Sequence, residues 1–161
     1  MRSERGNAIV EMALVFVPLM FSVFSIFELG RAMWTYHTLA AAVKKGVRVA
    51  MVHGDRCAEA SAACPVSVAT LVQIIQQNGV GLDPSALQLT FTAGGQDTTC
   101  APAPTCAANN SNWPPAPYNV VGENVTINAK YGFSTALTSM WPGQASSTFS
   151  LAAKSTEVIQ F

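Results

Sequence analysis

Residues 7–27 read NAIVEMALVFVPLMFSVFSIF, and the reading of this stretch decides the fold. From Met12 to Phe27 no residue is charged, and most are Val, Leu, Phe, Met or Ile. A helix rises about 1.5 Å per residue, and a hydrocarbon core of about 30 Å takes roughly 20 residues to cross. The uncharged run is shorter than that. Extending it back to Asn7 supplies the missing turn, provided that the carboxylate of Glu11 is accommodated at membrane depth. An ionisable side chain placed there is a functional hypothesis by default. Two placements for Glu11 stand open from residue content: near the cytoplasmic headgroups, meeting water or Arg5, or paired with a cation inside the bilayer.

The flanks set a direction. Arg2, Arg5 and the terminal amine precede the span, whereas Glu28 and Arg31 follow it closely. The shorter, more basic flank stays in the cytoplasm, which puts the chain from Arg31 onward outside it. All four cysteines, Cys57, Cys64, Cys100 and Cys106, fall on that outer side. An even count confined there reads as two disulfides in an oxidising compartment. Pairing of sequence neighbours is favoured, Cys57 with Cys64 and Cys100 with Cys106, although four cysteines allow three connectivities. A cleaved secretory signal fits less well, because no small-residue cleavage pattern follows the apolar run and the helix continues through Glu28-Leu29-Gly30-Arg31. A plain uncleaved anchor is the other alternative.

Pro18 predicts a kink in the span. Glu28 and Arg31 are three residues apart and read as a local, solvated pair, with Trp34 and Tyr36 just beyond as interfacial aromatics. Tyr36, Leu39, Ala40, Val43, Val47 and Ala50 then recur at three- and four-residue steps, an apolar stripe that needs a folded partner. The helix is expected over residues 8–52, about 65 Å at the standard rise, with Gly46 lowering its propensity and Gly54 as a stop. Residues 67–78 predict a short second helix ended by Gly79. Leu87, Leu89 and Phe91 alternate with polar residues, as do Val125, Ile127, Ala129, Tyr131 and Phe133, and a third strand begins at Phe149. The fold class is α+β: a long N-terminal transmembrane and amphipathic helix packed on a small antiparallel sheet, with one short extra helix. The expected divisions are a leader over 1–6, a transmembrane helix over 7–30, its extracytoplasmic continuation over 31–54 and a disulfide-containing domain over 55–161. Residues 94–118, rich in Pro and holding Cys100 and Cys106, form a long loop, and Trp113 reads as the aromatic that pins it to the domain.

The chain has 161 residues, 11% of them charged, with zero formal net charge. No basic cluster argues for nucleic acid. His37 and His53 lack carboxylates or cysteines at metal-ligand spacing, and no CxxC pair suggests zinc. Asp55, Glu59, Asp83, Asp97, Glu123 and Glu157 are scattered, and none forms a recognisable catalytic arrangement with His or Ser. Gly94-Gly95 is a turn signal and not a phosphate loop. The reading is therefore of a non-enzyme with no cofactor, no metal and no small-molecule substrate.

The segment Arg5-Gly6-Asn7-Ala8-Ile9-Val10-Glu11-Met12 resembles the processing site of class III prepilin signals, a basic leader ending in Gly with a Glu five residues later. Together with Glu28-Leu29-Gly30-Arg31 and residues 46–54, GVRVAMVHG, it is similar to TadE-like proteins, minor pilins or pseudopilins of the tight-adherence (Flp-type) pilus system. Residues 125–133 and the final Ser/Thr/Ala-rich strand resemble that family more loosely, and the cysteine-bearing loops do not. Met12 stands where the family usually has Phe or Tyr. The resemblance implies a pilin-like fold and cleavage between Gly6 and Asn7 by a membrane prepilin peptidase. It gives Glu11 the role of recognising the freed amine of Asn7 on a neighbour during assembly. It also implies a single-pass protein of the bacterial cytoplasmic membrane, in contact with lipid, other Tad minor pilins or pseudopilins and the inner-membrane assembly platform. The competing class is a membrane-tethered extracytoplasmic binding module that is neither processed nor assembled.

Overall fold

The computed structural model describes residues 4–60, 64–136 and 148–161. Its elements are α1 (Glu4–Ala50), α2 (Cys57–Ala60), α3 (Val68–Asn78), β1 (Leu87–Ala93), β2 (Gln96–Cys100), a 3₁₀ turn (Ala103–Cys106), β3 (Asn124–Ser134) and β4 (Thr148–Val158). The four strands form one antiparallel sheet in the order β2-β1-β3-β4. This is the α+β class read from the sequence, with one more strand than anticipated. The chain divides into two compact units, one of Met1–Trp34 with Ser134–Thr148 and the other of Thr35–Phe133 with Phe149–Phe161.

In the first unit the run of α1 from Met12 to Phe27 carries no charge and exposes apolar side chains all round. Ile9, Leu14, Val15, Phe16, Leu19, Phe21, Ile26 and Phe27 are all exposed. Pro18 lies inside the helix, and the Ser22 hydroxyl donates to its carbonyl at 2.8 Å. Near the end of this unit Arg31 Nη2 donates to Glu28 Oε2 at 2.8 Å and to the Ser134 carbonyl at 2.5 Å. The Glu28–Arg31 pair is therefore more than the solvated surface pair expected, since the guanidinium also binds backbone far along the chain.

In the second unit α1 becomes one-sided. Leu39, Ala42, Val43, Val47 and Ala50 are buried. The predicted stripe is shifted slightly: Tyr36 is 42% exposed, while Ala42 and Gly46 lie inside. Gly46 faces Ile75 of α3, and a Cβ there would stand 2.8 Å from Ile75 Cγ1. A residue read as a weak helix former is thus the point of close approach between two helices. α3 starts at the N-cap Ser67, whose Oγ accepts from Thr70 N, and buries Val68, Leu71, Val72 and Ile75. In the turn that follows, Ser85 donates through both its hydroxyl and its backbone N–H to Asp83. These bonds hold the Asp83 carboxyl below its ordinary value, so the turn weakens as acidification passes down through the carboxylate range.

β1 and β3 supply the buried sheet face. Leu89 pairs with Ala129, Phe91 with Ile127 and Ala93 with Val125, and all six are buried. β2 closes a two-residue hairpin in which Ala93 pairs with Gln96. Gly94 and Gly95 take φ of +56° and +77°, the left-handed conformation that a tight hairpin turn requires. β2 escaped the sequence reading because Gln96-Asp97-Thr98-Thr99 carries no apolar alternation; it is an edge strand with Cys100 alone fully buried. β4 lies on the other edge, where Thr126 and Thr156 bring their hydroxyls within 2.8 Å.

α1 ends at Ala50, two residues before the expected stop. Met51 N and His53 N close the last turn on Val47 O and Ala50 O. Gly54 serves a different purpose: a Cβ there would collide with the carbonyls of Phe161 and Asn119 and with Ile159. The chain end is fastened at this point, Gln160 N to Met51 O at 2.9 Å and Ile159 N to Glu123 O at 2.9 Å. Replacing Gly54 by Ala is expected to cost about 1–3 kcal/mol through this overpacking. Gly30, which has open space around it, should tolerate Ala without loss; urea unfolding of the two variants compares them directly.

Candidate functional site

The sequence directs attention to Gly6, Asn7 and Glu11. The structure places all three in the first turns of α1, which begins at Glu4; residues 1–3 of the expected leader lie outside the described residues. Glu11 is exposed and makes no hydrogen bond or ion pair with any described residue. It is the sole ionisable side chain over residues 6–27. α1 is, among the described residues, the one helix long and apolar enough to cross a membrane by length and composition. A carboxylate on such a helix cannot be left bare in hydrocarbon at small cost. A cation to partner it would have to come from outside residues 6–27, where no second titratable side chain lies.

The second candidate region is the Pro-rich loop. Both disulfides join sequence neighbours: Cys57 with Cys64, at a Cα separation of 6.0 Å, and Cys100 with Cys106 at 5.6 Å. Trp113 is 2% exposed and meets Phe91 edge to face, with ring centroids 5.5 Å apart. Its backbone N–H donates to Val66 O at 3.0 Å. The loop carbonyls of Ser111 and Asn109 accept from Val68 N and Ala69 N at the start of α3. The N–H groups that could have received an anion there are consumed in holding the loop. Tyr118 lies against Gly94 so closely that no Cβ would fit between them. The loop is thus a fixed part of the domain, and Trp113 is its pin.

Between this loop and α3 is a shallow cavity of about 350 Å³ lined by neutral groups, chiefly Ser67, Thr70, Gln73, Gln76 and Asn110. It contains no acid, base or nucleophilic thiol. His53 Nδ1 is 2.6 Å from the Val49 carbonyl, and His37 stands edge-on to Tyr36. Among the described residues no three His, Cys, Asp or Glu side chains gather as a metal site would need.

Residues 6–48 match the family model of TadE-like proteins. The matched stretch lies wholly within α1 and contains Gly6, Asn7 and Glu11; residues 125–161 are outside it. The chain therefore carries a TadE-like segment, the same family that its N-terminal motifs resemble. No curated protein and no solved structure matches the chain.

What sequence reasoning missed is the anchoring of the loop on α3, which joins residues 66–69 to 109–113 and leaves no local signal. Trp113→Ala is expected to cost about 3–5 kcal/mol, seen as a lower urea midpoint with both disulfides still formed by non-reducing mass mapping.

Proposed function

We propose that this protein is a minor pilin or pseudopilin that takes part in the biogenesis of a tight-adherence (Flp-type) pilus. The observation that carries the reading is Glu11: one acid, without a partner among the described residues, near the start of an otherwise uncharged stretch over residues 6–27, inside the TadE-like segment. On this reading a prepilin peptidase cuts between Gly6 and Asn7. The helix lies in the cytoplasmic membrane with its start in the cytoplasm, and the disulfide-bonded domain is outside. The new amine of Asn7 on one subunit neutralises Glu11 on the next, because a carboxylate in lipid is stabilised by an adjacent cation. Such pairing sets the axial stagger between helices. Related Tad subunits and the inner-membrane assembly platform are the partners. No enzymatic role is assigned; the mechanism is assembly.

Sequencing of the N-terminus of protein recovered from membranes should return Asn7 as the first residue. Glu11→Lys should insert normally in the membrane fraction yet fail to enter assembled fibres or assembly complexes. Material that starts at Met1 and behaves normally with Glu11→Ala would leave a tethered extracytoplasmic module in place of a pilin.

A further inference from the structure

α3 has two faces. One buries Val68, Leu71, Val72 and Ile75. On the other, Ala69, Thr70, Gln73 and Gln76 recur at three- and four-residue steps, so they line up along one side of the helix. Opposite them stand Ala107 and Asn110, in the loop that follows the 3₁₀ turn. The two sets of side chains enclose the cavity of about 350 Å³ between α3 and the loop. That is the small end of the range, about 300–1,000 Å³, over which proteins hold small molecules.

Both walls are fixed before anything binds. The loop is joined to the start of α3 by Val68 N–H to Ser111 O at 3.0 Å and by Ala69 N–H to Asn109 O at 2.9 Å. Asn109 uses its own side chain inside the loop, accepting from Ser111 N at 3.0 Å, and the Cys100–Cys106 disulfide ties the near end of the loop to β2. The amides at the rim are uncommitted by contrast. Asn78, further along α3, turns its amide back onto Ile74 O at 2.8 Å. The side-chain amides of Gln73, Gln76 and Asn110 bond to no described residue.

The chemistry of the lining narrows the occupant. Each amide offers two N–H donors and one acceptor oxygen, and no ionisable side chain lines the cavity to select an ion. Ala69, Val72 and Ala107 supply apolar surface among these polar groups. The matching ligand is neutral and compact, with adjacent hydroxyls that both donate and accept, and with C–H groups on its faces. An extended peptide pairs along a sheet edge or lies in a long groove, whereas this cavity is closed on two sides by α3 and the loop and has room for one ring. The geometry points to a binding site for one neutral sugar residue, held by Gln73, Gln76 and Asn110 between α3 and the Pro-rich loop. The sugar is held and not cut: hydrolysis ordinarily takes a pair of carboxylates across the glycosidic bond, and the lining has none. The site is independent of the fate of Gly6 and of the role of Glu11, because every residue it uses belongs to the folded unit that begins at Thr35.

Ligand-observed saturation-transfer NMR on the full chain in lipid vesicles, free of sugar-headed detergent, reads the binding. The probes are glucose, galactose, mannose and N-acetylglucosamine, the linear trimers of glucose and of N-acetylglucosamine, glucuronate, and a blocked tri-alanine peptide. Saturable binding is expected from at least one neutral sugar. Its affinity should fall roughly five-fold or more in Gln73→Ala, Gln76→Ala and Asn110→Ala, as the loss of one ligand hydrogen bond gives. Gln88→Ala, at an exposed position of β1, should leave it unchanged. Ala107→Phe, which fills the cavity from an exposed loop position, should abolish it, and equal urea midpoints verify that the variants fold. A response to monosaccharides marks a free sugar as the ligand and a response to trimers alone marks a chain end; both uphold the site. No response to any neutral sugar, a response to glucuronate or the peptide that equals or exceeds it, or binding untouched by the cavity variants would overturn it.

Discussion

The burial of Leu39, Val43, Val47 and Ala50 between α3 and the sheet is the constraint on which the folded unit depends. Each large aliphatic side chain removed from water contributes about 1.5–3 kcal/mol. The same helix earlier in its course has nothing buried along its most apolar window. The two regimes are visible in one element: apolar nearly all round in its first part, as a span long and apolar enough to cross a membrane would be, and apolar on one side where it joins the core. Gly46 belongs to this constraint as well. It lets α1 approach Ile75 closely enough for the stripe to be dry, which is why a poor helix former sits in the middle of a long helix.

Around that stripe the domain is closed by backbone hydrogen bonds together with further apolar side chains from α3, the sheet, Trp113 and Ile159. The chain end is locked to the exit of α1 through Met51 and Gly54, and the Pro-rich loop is locked to the start of α3 through Asn109, Ser111 and Trp113. The indole Nε1 of Trp113 is the one buried side-chain polar atom among the described residues without a hydrogen-bond partner. Its retention there measures how much the edge-to-face contact with Phe91 and the filled volume outweigh one orphaned donor. The Cys100–Cys106 disulfide within the loop shortens the chain left to order.

Legibility in the sequence followed periodicity. α3, β1 and β3 bury alternate or helically spaced Val, Leu, Ile and Phe, and their limits were readable to within a residue or two. β2 was not, because an edge strand with its side chains in water needs no apolar alternation; its only signal was the Gly94-Gly95 turn preceding it. Gly46 was read as a helix weakener and Gly54 as a helix stop, whereas their role is proximity to Ile75 and to the chain end, which is a tertiary fact. The site divided similarly. Glu11 is legible because a lone acid in an uncharged run is conspicuous in one dimension.

The extent of the TadE-like match fits this division of labour. It covers residues 6–48, from the first turns of α1 to the last turn of its buried stripe, and it stops before the disulfides, the loop and the sheet. Two features share that stretch: a lone acid, Glu11, in an otherwise uncharged run of membrane length, and an apolar stripe from Leu39 to Ala50 that the core covers. In the second half of α1, Leu39, Ala42, Val43, Val47 and Ala50 are committed to the core, while Ala41, Lys44, Lys45 and Arg48 are exposed. The rest of the second unit faces weaker demands. Any sheet with one apolar face and any loop that can be tied to a helix start would cover Leu39 to Ala50, so physical constraint concentrates in α1 and relaxes beyond it.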